Sequence, residues 1–182
     1  MKNLTLITQA LLYAAEKHAG QFRKDGKTPY INHPIQLAAV LASTGNITDP
    51  ETIACALLHD TIEDTDATAR DIEQLFGKTV RNAVEELTDD ENLSKIERKR
   101  QQVLKVPSQS EMAKLVRLAD KICNLRDLLD KPPQGWAIDR QRKYWQWCTF
   151  VIQGTRGINR QLETLFDQIS KEAEERYGWD IH

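Results

Sequence analysis

The segment Ile53-Ala54-Cys55-Ala56-Leu57-Leu58 is apolar on every side, as a helix must be when neighbours enclose it, yet it runs straight into His59-Asp60-Thr61-Ile62-Glu63-Asp64. Three carboxylates and an imidazole at the inner end of a buried helix repel one another and are costly to desolvate unless a cation compensates them. A divalent metal resolves the conflict. His59 and Glu63 stand at i and i+4, as do Asp60 and Asp64, so ligands and further acids occupy neighbouring faces of one helical turn. The competing reading is an exposed acidic helix end with a capping role, which needs no ion.

Nearly every other segment shows apolar residues at the 3.6-residue period, and none sustains the Val/Ile/Thr alternation of a half-buried strand. An all-α fold of about eight to ten helices is expected. The pattern places helices at roughly 5–18, 34–44, 49–62, 68–76, 78–88, 93–105, 109–130 and 137–175. Thr48-x-x-Glu51 and Ser108-x-x-Glu111 read as capping boxes, with Pro50 in the first turn of the former helix. Turn chemistry marks the breaks at Lys24-Asp25-Gly26-Lys27, Gly45-Asn46, Gly77, Pro107 and Pro132-Pro133-Gln134-Gly135. The charged stretch from Lys171 to Arg176 reads as a solvated helix end.

With 182 residues, 40% of them apolar, the chain suits a single domain spanning 1–182. The 25 Lys+Arg against 27 Asp+Glu leave a net charge of −2, so no basic field draws it to nucleic acid or anionic lipid. No unbroken apolar stretch approaches the ~20 residues of a spanning helix, and the N-terminus carries no hydrophobic targeting segment. Cys55, Cys123 and Cys148 are odd in number and stand in apolar surroundings without a Cys-x-x-Cys pair, which reads as reduced core thiols of a cytoplasmic protein.

Two further elements carry chemistry. Leu115, Leu118, Ile122, Leu125 and Leu129 form a core-facing stripe, while Arg117, Asp120, Asn124 and Asp127 form a second, polar stripe on the same helix. Alone, the polar stripe reads as a solvated face, although Asp120 borders the apolar arc near Ala119 and Cys123, where a half-buried ligand fits. Arg126 falls inside the apolar arc and is expected to pair with a buried carboxylate or to snorkel. Upstream, Arg23-Lys24-Asp25-Gly26-Lys27-Thr28-Pro29-Tyr30-Ile31-Asn32-His33-Pro34 leads from basic residues through a glycine turn to a histidine at a helix start. His33, the His59-Asp60 pair and Asp120 then supply two imidazoles and two carboxylates from three helices. That set, without thiolate, suits Mn²⁺ or Fe²⁺ in an open site better than a closed structural zinc site. The Trp-rich stretch from Trp136 to Phe150 reads as core packing, with Tyr144 a candidate for the pocket mouth.

The order His33, His59-Asp60, Asp120 resembles the H…HD…D pattern of the HD metal-dependent phosphohydrolases. The words around it, Arg23-Lys24-Asp25-Gly26, Thr28 to Pro34, Ala56 to Asp60, Glu63-Asp64-Thr65, Glu86 to Asp90 and Leu118 to Arg126, are similar to the hydrolase domain of RelA/SpoT proteins. The stand-alone small alarmone hydrolases are the nearest group, over about residues 10 to 170. The resemblance implies an HD-type helical fold without synthetase or regulatory domains. It also implies hydrolysis of guanosine 3′,5′-bis(diphosphate), or its pentaphosphate form, to GDP or GTP plus pyrophosphate. On the family's pattern, one Mn²⁺ per chain, with Fe²⁺ or Zn²⁺ as lesser alternatives, falls on His33, His59, Asp60 and Asp120. The catalytic acids fall on Glu63 and Asp64, and base and ribose contacts on Arg23, Lys24 and Asn124. Lys95 is a weaker candidate for phosphate, and Asp127 stands where related sequences can carry Thr. Two other functions compete: a phosphatase acting on another ribose-phosphorylated nucleotide such as NADPH, and a catalytically silent nucleotide sensor.

Overall fold

The computed structural model describes residues 2–179; Met1 and residues 180–182, the ends of the expected domain span, lie outside the described residues. The elements are α1 (Lys2–Lys17), α2 (Asn32–Ser43), α3 (Pro50–Leu58), α4 (Thr61–Asp64), α5 (Ala69–Phe76), α6 (Lys78–Leu87), α7 (Lys95–Lys105), α8 (Glu111–Asp130), α9 (Ile138–Gln153) and α10 (Arg160–Tyr177). A 3₁₀ turn covers Val106–Ser108, and an isolated bridge joins Phe22 to Pro29. No strand occurs among the described residues, and no helix there is long and apolar enough to cross a membrane.

Helix α3 is the hub, buried from Thr52 to Leu58 and packed against α1, α2, α6 and α8. Helix α1 meets it with alanines as its buried residues, Ala10 and Ala14, which allow the two backbones to approach closely. Helix α8 is the second axis and touches α2, α3, α6, α9 and α10. Its expected stripe of Leu115, Leu118, Ile122, Leu125 and Leu129 is buried throughout, each side chain contributing on the order of 1.5–3 kcal/mol of transfer free energy. The indole of Trp145 donates to Ser170 Oγ at 2.9 Å and ties α9 to α10. Cys55, Cys123 and Cys148 are free and buried, as expected.

Several boundaries differ from expectation. Asp49, not Thr48, caps α3 by accepting from Thr52 N–H at 2.9 Å. Ser110, not Ser108, caps α8, while Ser108 closes the 3₁₀ turn by donating to Lys105 O. The expected helix 49–62 is two helices, because Thr61 Oγ donates to Leu58 O and Asp60 adopts φ −101°, ψ 0°, turning the chain at His59-Asp60. The expected helix 137–175 also divides. A Cβ at Gly154 would lie 2.8 Å from Val106 Cγ1, Gly157 has φ +90°, and Asn159 caps α10 by accepting from Leu162 N–H. Arg126 is exposed; the buried arginine of α8 is Arg117, from the stripe that reads as solvated.

Candidate active site

Helices α2, α3 and α8 meet at one level of the core, and each brings ionisable side chains there. His33 enters from the first turn of α2, His59 and Asp60 from the α3–α4 corner, and Asp120 from the middle of α8. One ligand atom each from His33, His59 and Asp60 lies within 4.8 Å of the others. Asp120 stands outside that tight group of three but touches it, its Oδ1 lying 3.1 Å from His33 Nε2.

Bonds to the protein orient these side chains. His59 Nδ1 donates to Ala56 O at 2.9 Å, which leaves the Nε2 lone pair directed inward. Tyr30 donates its phenol proton to Asp60 Oδ2 at 2.5 Å. Asp120 accepts from Lys121 Nζ at 2.8 Å and from the Asn124 amide. His59 Nε2 lies 2.8 Å from Asp60 Oδ2 yet makes no hydrogen bond, so two electron-rich atoms face each other in a buried place. A divalent cation would satisfy both, and the nitrogen and oxygen donors suit one. The protein's own groups favour a proton on His59. Burial opposes it, but Asp60 and Asp120 prevail and push the His59 pKa up to about 8. Burial also opposes ionisation of Asp120, and there Lys121 and His33 prevail, holding the carboxyl well below its usual range.

Glu63 and Asp64 project from α4 into the same chamber. Burial pushes the Glu63 pKa up to about 7 despite the Asp89 N–H, which donates to Oε2 at 2.9 Å. Asp64 is raised as well, by burial and by the neighbouring Asp60 charge. The chamber therefore holds a carboxylate able to exchange a proton near neutrality beside carboxylates that stay ionised, which is the pairing acid–base chemistry needs.

A second cleft opens beside the chamber, sharing Arg23, Lys24, His33, Asn124 and Tyr144 with it, and is walled by Pro133, Trp136 and Leu128. Its floor is a stiff loop. Asp25 accepts from the N–H groups of Lys27 and Thr28 and from the Thr28 hydroxyl, and Gly26 takes φ +68°, a conformation costly for other residues. Arg23 donates through Nη2 to Asp127 at 2.7 Å and to Asn124 Oδ1 at 3.0 Å. Lys24 Nζ sits 5.0 Å from the Trp136 ring centroid and 5.6 Å from that of Tyr144, and burial together with Arg23 and Lys95 lowers its pKa.

Thus His33, His59, Asp60, Asp120, Glu63, Asp64, Arg23, Lys24, Asn124 and Tyr144 are brought together along one continuous cleft. Lys95 is exposed at the start of α7 and lines neither part. Sequence reasoning passes over Tyr30, Lys121, Arg117 and Trp136 as site residues and leaves Asp127 without a role. The only available signal was adjacency: Lys121 follows a ligand candidate, and Tyr30 lies in the motif that ends at His33.

Comparison with known proteins adds to this geometry. A family model described as HD domain matches residues 10–144. The guanosine-3′,5′-bis(diphosphate) 3′-pyrophosphohydrolase MESH1 of Xenopus tropicalis is 52% identical over 165 residues, covering 90% of this chain and 92% of that protein. The human protein of the same name is 49% identical over 167 residues, covering 91% and 93%. The solved structure of a metazoan orthologue of SpoT, described as hydrolysing ppGpp and playing a role in starvation responses, superposes with a TM-score of 0.89. It is 44% identical, over 94% of this chain and 96% of that one.

Proposed function

The chain belongs to the HD-domain family and, within it, to the group of guanosine-3′,5′-bis(diphosphate) 3′-pyrophosphohydrolases, and on that premise we propose that it hydrolyses guanosine 3′,5′-bis(diphosphate) and its pentaphosphate form at the 3′ position. Water adds to the phosphorus on the 3′ oxygen, the bond from that phosphorus to the ribose oxygen breaks, and pyrophosphate leaves with GDP or GTP as the other product. The observation that carries the reading is the convergence of His33, His59 and Asp60 in an acid-lined chamber that His33 shares with a cleft lined by Lys24, Arg23 and Trp136.

His33, His59, Asp60 and Asp120 are the residues we assign to one divalent ion; their mixed nitrogen and oxygen donors fit Mn²⁺ or Fe²⁺, and the family's pattern favours Mn²⁺. Such an ion supplies Lewis acidity to the attacked phosphate and to water. Glu63, poised near neutrality, takes the proton from the attacking water and returns it to the departing ribose oxygen, and Asp64 orients that water. Arg23, its edge held by Asp127 and Asn124, offers the face of its guanidinium to the purine. Lys24 sets an ammonium charge against phosphate, Asn124 reaches the ribose, and Tyr144 stands where the two parts of the cleft join. Lys95, which lines neither part of the cleft, bears on the site only through its charge on Lys24. The helices over about 10–170 work as one catalytic domain, and the three buried free thiols fit a reducing cytoplasm.

The test is incubation of Mn²⁺-loaded protein with guanosine 3′,5′-bis(diphosphate) and with NADPH, assaying pyrophosphate and orthophosphate separately. Pyrophosphate from the guanosine nucleotide is expected. Orthophosphate as the sole product from both would replace this function with that of a phosphatase.

A further inference from the structure

Among the described residues Arg117 is the only buried arginine, and its place is unusual. It lines both the metal chamber and a second polar cleft that contains Glu86, Asp89, Arg98, Gln102 and Gln109. Its hydrogen bonds go to main-chain carbonyls alone, from Nη2 to Glu86 O and to Leu87 O, each at 3.3 Å, while Nε has no partner. Among the described residues it makes no ion pair, although Asp120, Asp89, Asp60 and Glu63 all act on it at longer range. Burying a guanidinium is costly, so a clamp on two carbonyls without an ion pair points to a role beyond stability.

The carbonyls it holds are the last two of α6, where helix acceptors lack intrahelical partners and a cation is favoured. The chain then turns through Thr88, and the next N–H, that of Asp89, donates to Glu63 Oε2. On the other side Gln109 also donates to Glu86 O, and Gln102 Nε2 donates to the Asp89 carboxylate at 2.8 Å. Arg117 therefore grips one end of a three-residue turn whose other end grips Glu63.

We propose that Arg117 is a positioning residue for Glu63: by clamping the Glu86 and Leu87 carbonyls it fixes the turn that delivers the Asp89 N–H to Glu63 Oε2, so that Oε1, which has only the Arg98 guanidinium 4.0 Å away, takes the proton of the attacking water. This rests on the reading of Glu63 as the proton-handling group. Arg117→Lys keeps the charge but ends one bond short of the Nη2 that both carbonyls share. It is expected to lower kcat by roughly tenfold or more with KM little changed and with Mn²⁺ affinity, measured by titration, intact. Asp89→Pro deletes the N–H donor along with the carboxylate that Gln102 holds and that acts on Arg117 at longer range, a loss that Asp89→Asn controls for by keeping the N–H. The extended conformation of Thr88 (φ −72°, ψ 129°) is one that a following proline accepts. Asp89→Pro should give the same kcat loss as Arg117→Lys. In a Glu63→Gln background neither change should lower residual activity further, whereas damage through any other route would multiply with the Glu63 loss. Equal fold-losses in both backgrounds, or weakened Mn²⁺ binding with kcat preserved at saturation, would overturn the proposal. Wild-type kcat in Glu63→Gln alone would overturn the assignment of Glu63 and this inference with it.

Discussion

At the inner end of the cleft His33 and His59 are 2% and 4% exposed, and each candidate ligand is tied to a neighbour by a bond of its own. At the outer end Arg23 and Lys24 ride on a surface loop, where Arg23 is held by Asp127, a side chain 42% exposed. The inner groups stand in a dry, low-dielectric place where a lost partner leaves an uncompensated charge, so removal is felt as all or nothing. The outer groups are screened by water, so removal is graded. On the proposed roles, burial separates the groups assigned to turnover from those assigned to affinity.

The largest expected effect comes from the inner end. His59→Ala or Asp120→Ala should abolish both Mn²⁺ binding and turnover, and chelation should do the same to the unaltered protein until the ion is restored. Full activity in a chelator-treated, metal-free sample would break the comparison at its root. Next comes Glu63→Gln, which keeps the shape and the acceptor for Asp89 N–H but cannot take a proton. It should bind the ion normally and lose about 10²–10⁴ in kcat, the usual contribution of general acid–base catalysis. Metal titration and steady-state kinetics on the same preparation separate the two quantities.

The outer end should respond through KM. A guanidinium stacked on a base contributes about 0.5–2 kcal/mol, so Arg23→Ala is expected to raise KM roughly 2- to 30-fold with kcat nearly unchanged. Asp127→Ala leaves Arg23 in place, still held by Asn124, and removes one of its two anchors. The Arg23 side chain is 19% exposed and that of Asp127 42%, and a pair so close to the surface is worth about 1 kcal/mol, so KM should rise by about fivefold. A fall in kcat larger than the rise in KM for either variant would erase the distinction between the two ends.

Most of the inner end was legible in the sequence because buried charge is a contradiction that shows before any coordinates do: Leu58 cannot be followed by His59-Asp60 without compensation. The leucine stripe of α8 was legible for the same reason in reverse. Periodicity reports an angle around a helix but not the depth of what lies opposite, so Arg117 read as solvated when the end of α6 in fact covers it. The two divided helices differ in the same way. The split at 154–159 had a signal in Gly154, Gly157 and Asn159, which the continuous apolar period concealed. The turn at His59-Asp60 contains no glycine or proline and depends on a threonine hydroxyl and an imidazole each bonding a carbonyl three residues back, which only coordinates reveal.

The smallest expected effect is on stability, and it sharpens the comparison because it comes from the inner end alone. In the metal-free protein the pKa of His59 is raised to about 8 from an ordinary value of 6.5, so its charged form stabilises the fold fully below pH 6.5, and that stability is lost as the pH rises through 8. Glu63, raised to about 7 from 4.5, favours the neutral form, so its contribution falls with rising pH up to about 7. His33 has the opposite sign: burial lowers its pKa, so the cost of keeping it neutral is felt only below 6.5. Between pH 6.5 and 8 the His59 and Glu63 effects therefore act together without opposition from His33, and the melting temperature of the metal-free protein should fall. Saturating Mn²⁺ displaces the His59 proton and binds more tightly as that proton becomes easier to remove, so the gap between loaded and metal-free melting temperatures should widen over the same interval. His59→Ala should flatten both curves, whereas Arg23→Ala should leave them as they are. A gap that stays constant from pH 6.5 to 8 would mean that the ion does not compete with the His59 proton, and the inner end would then lack the linkage that sets it apart from the outer.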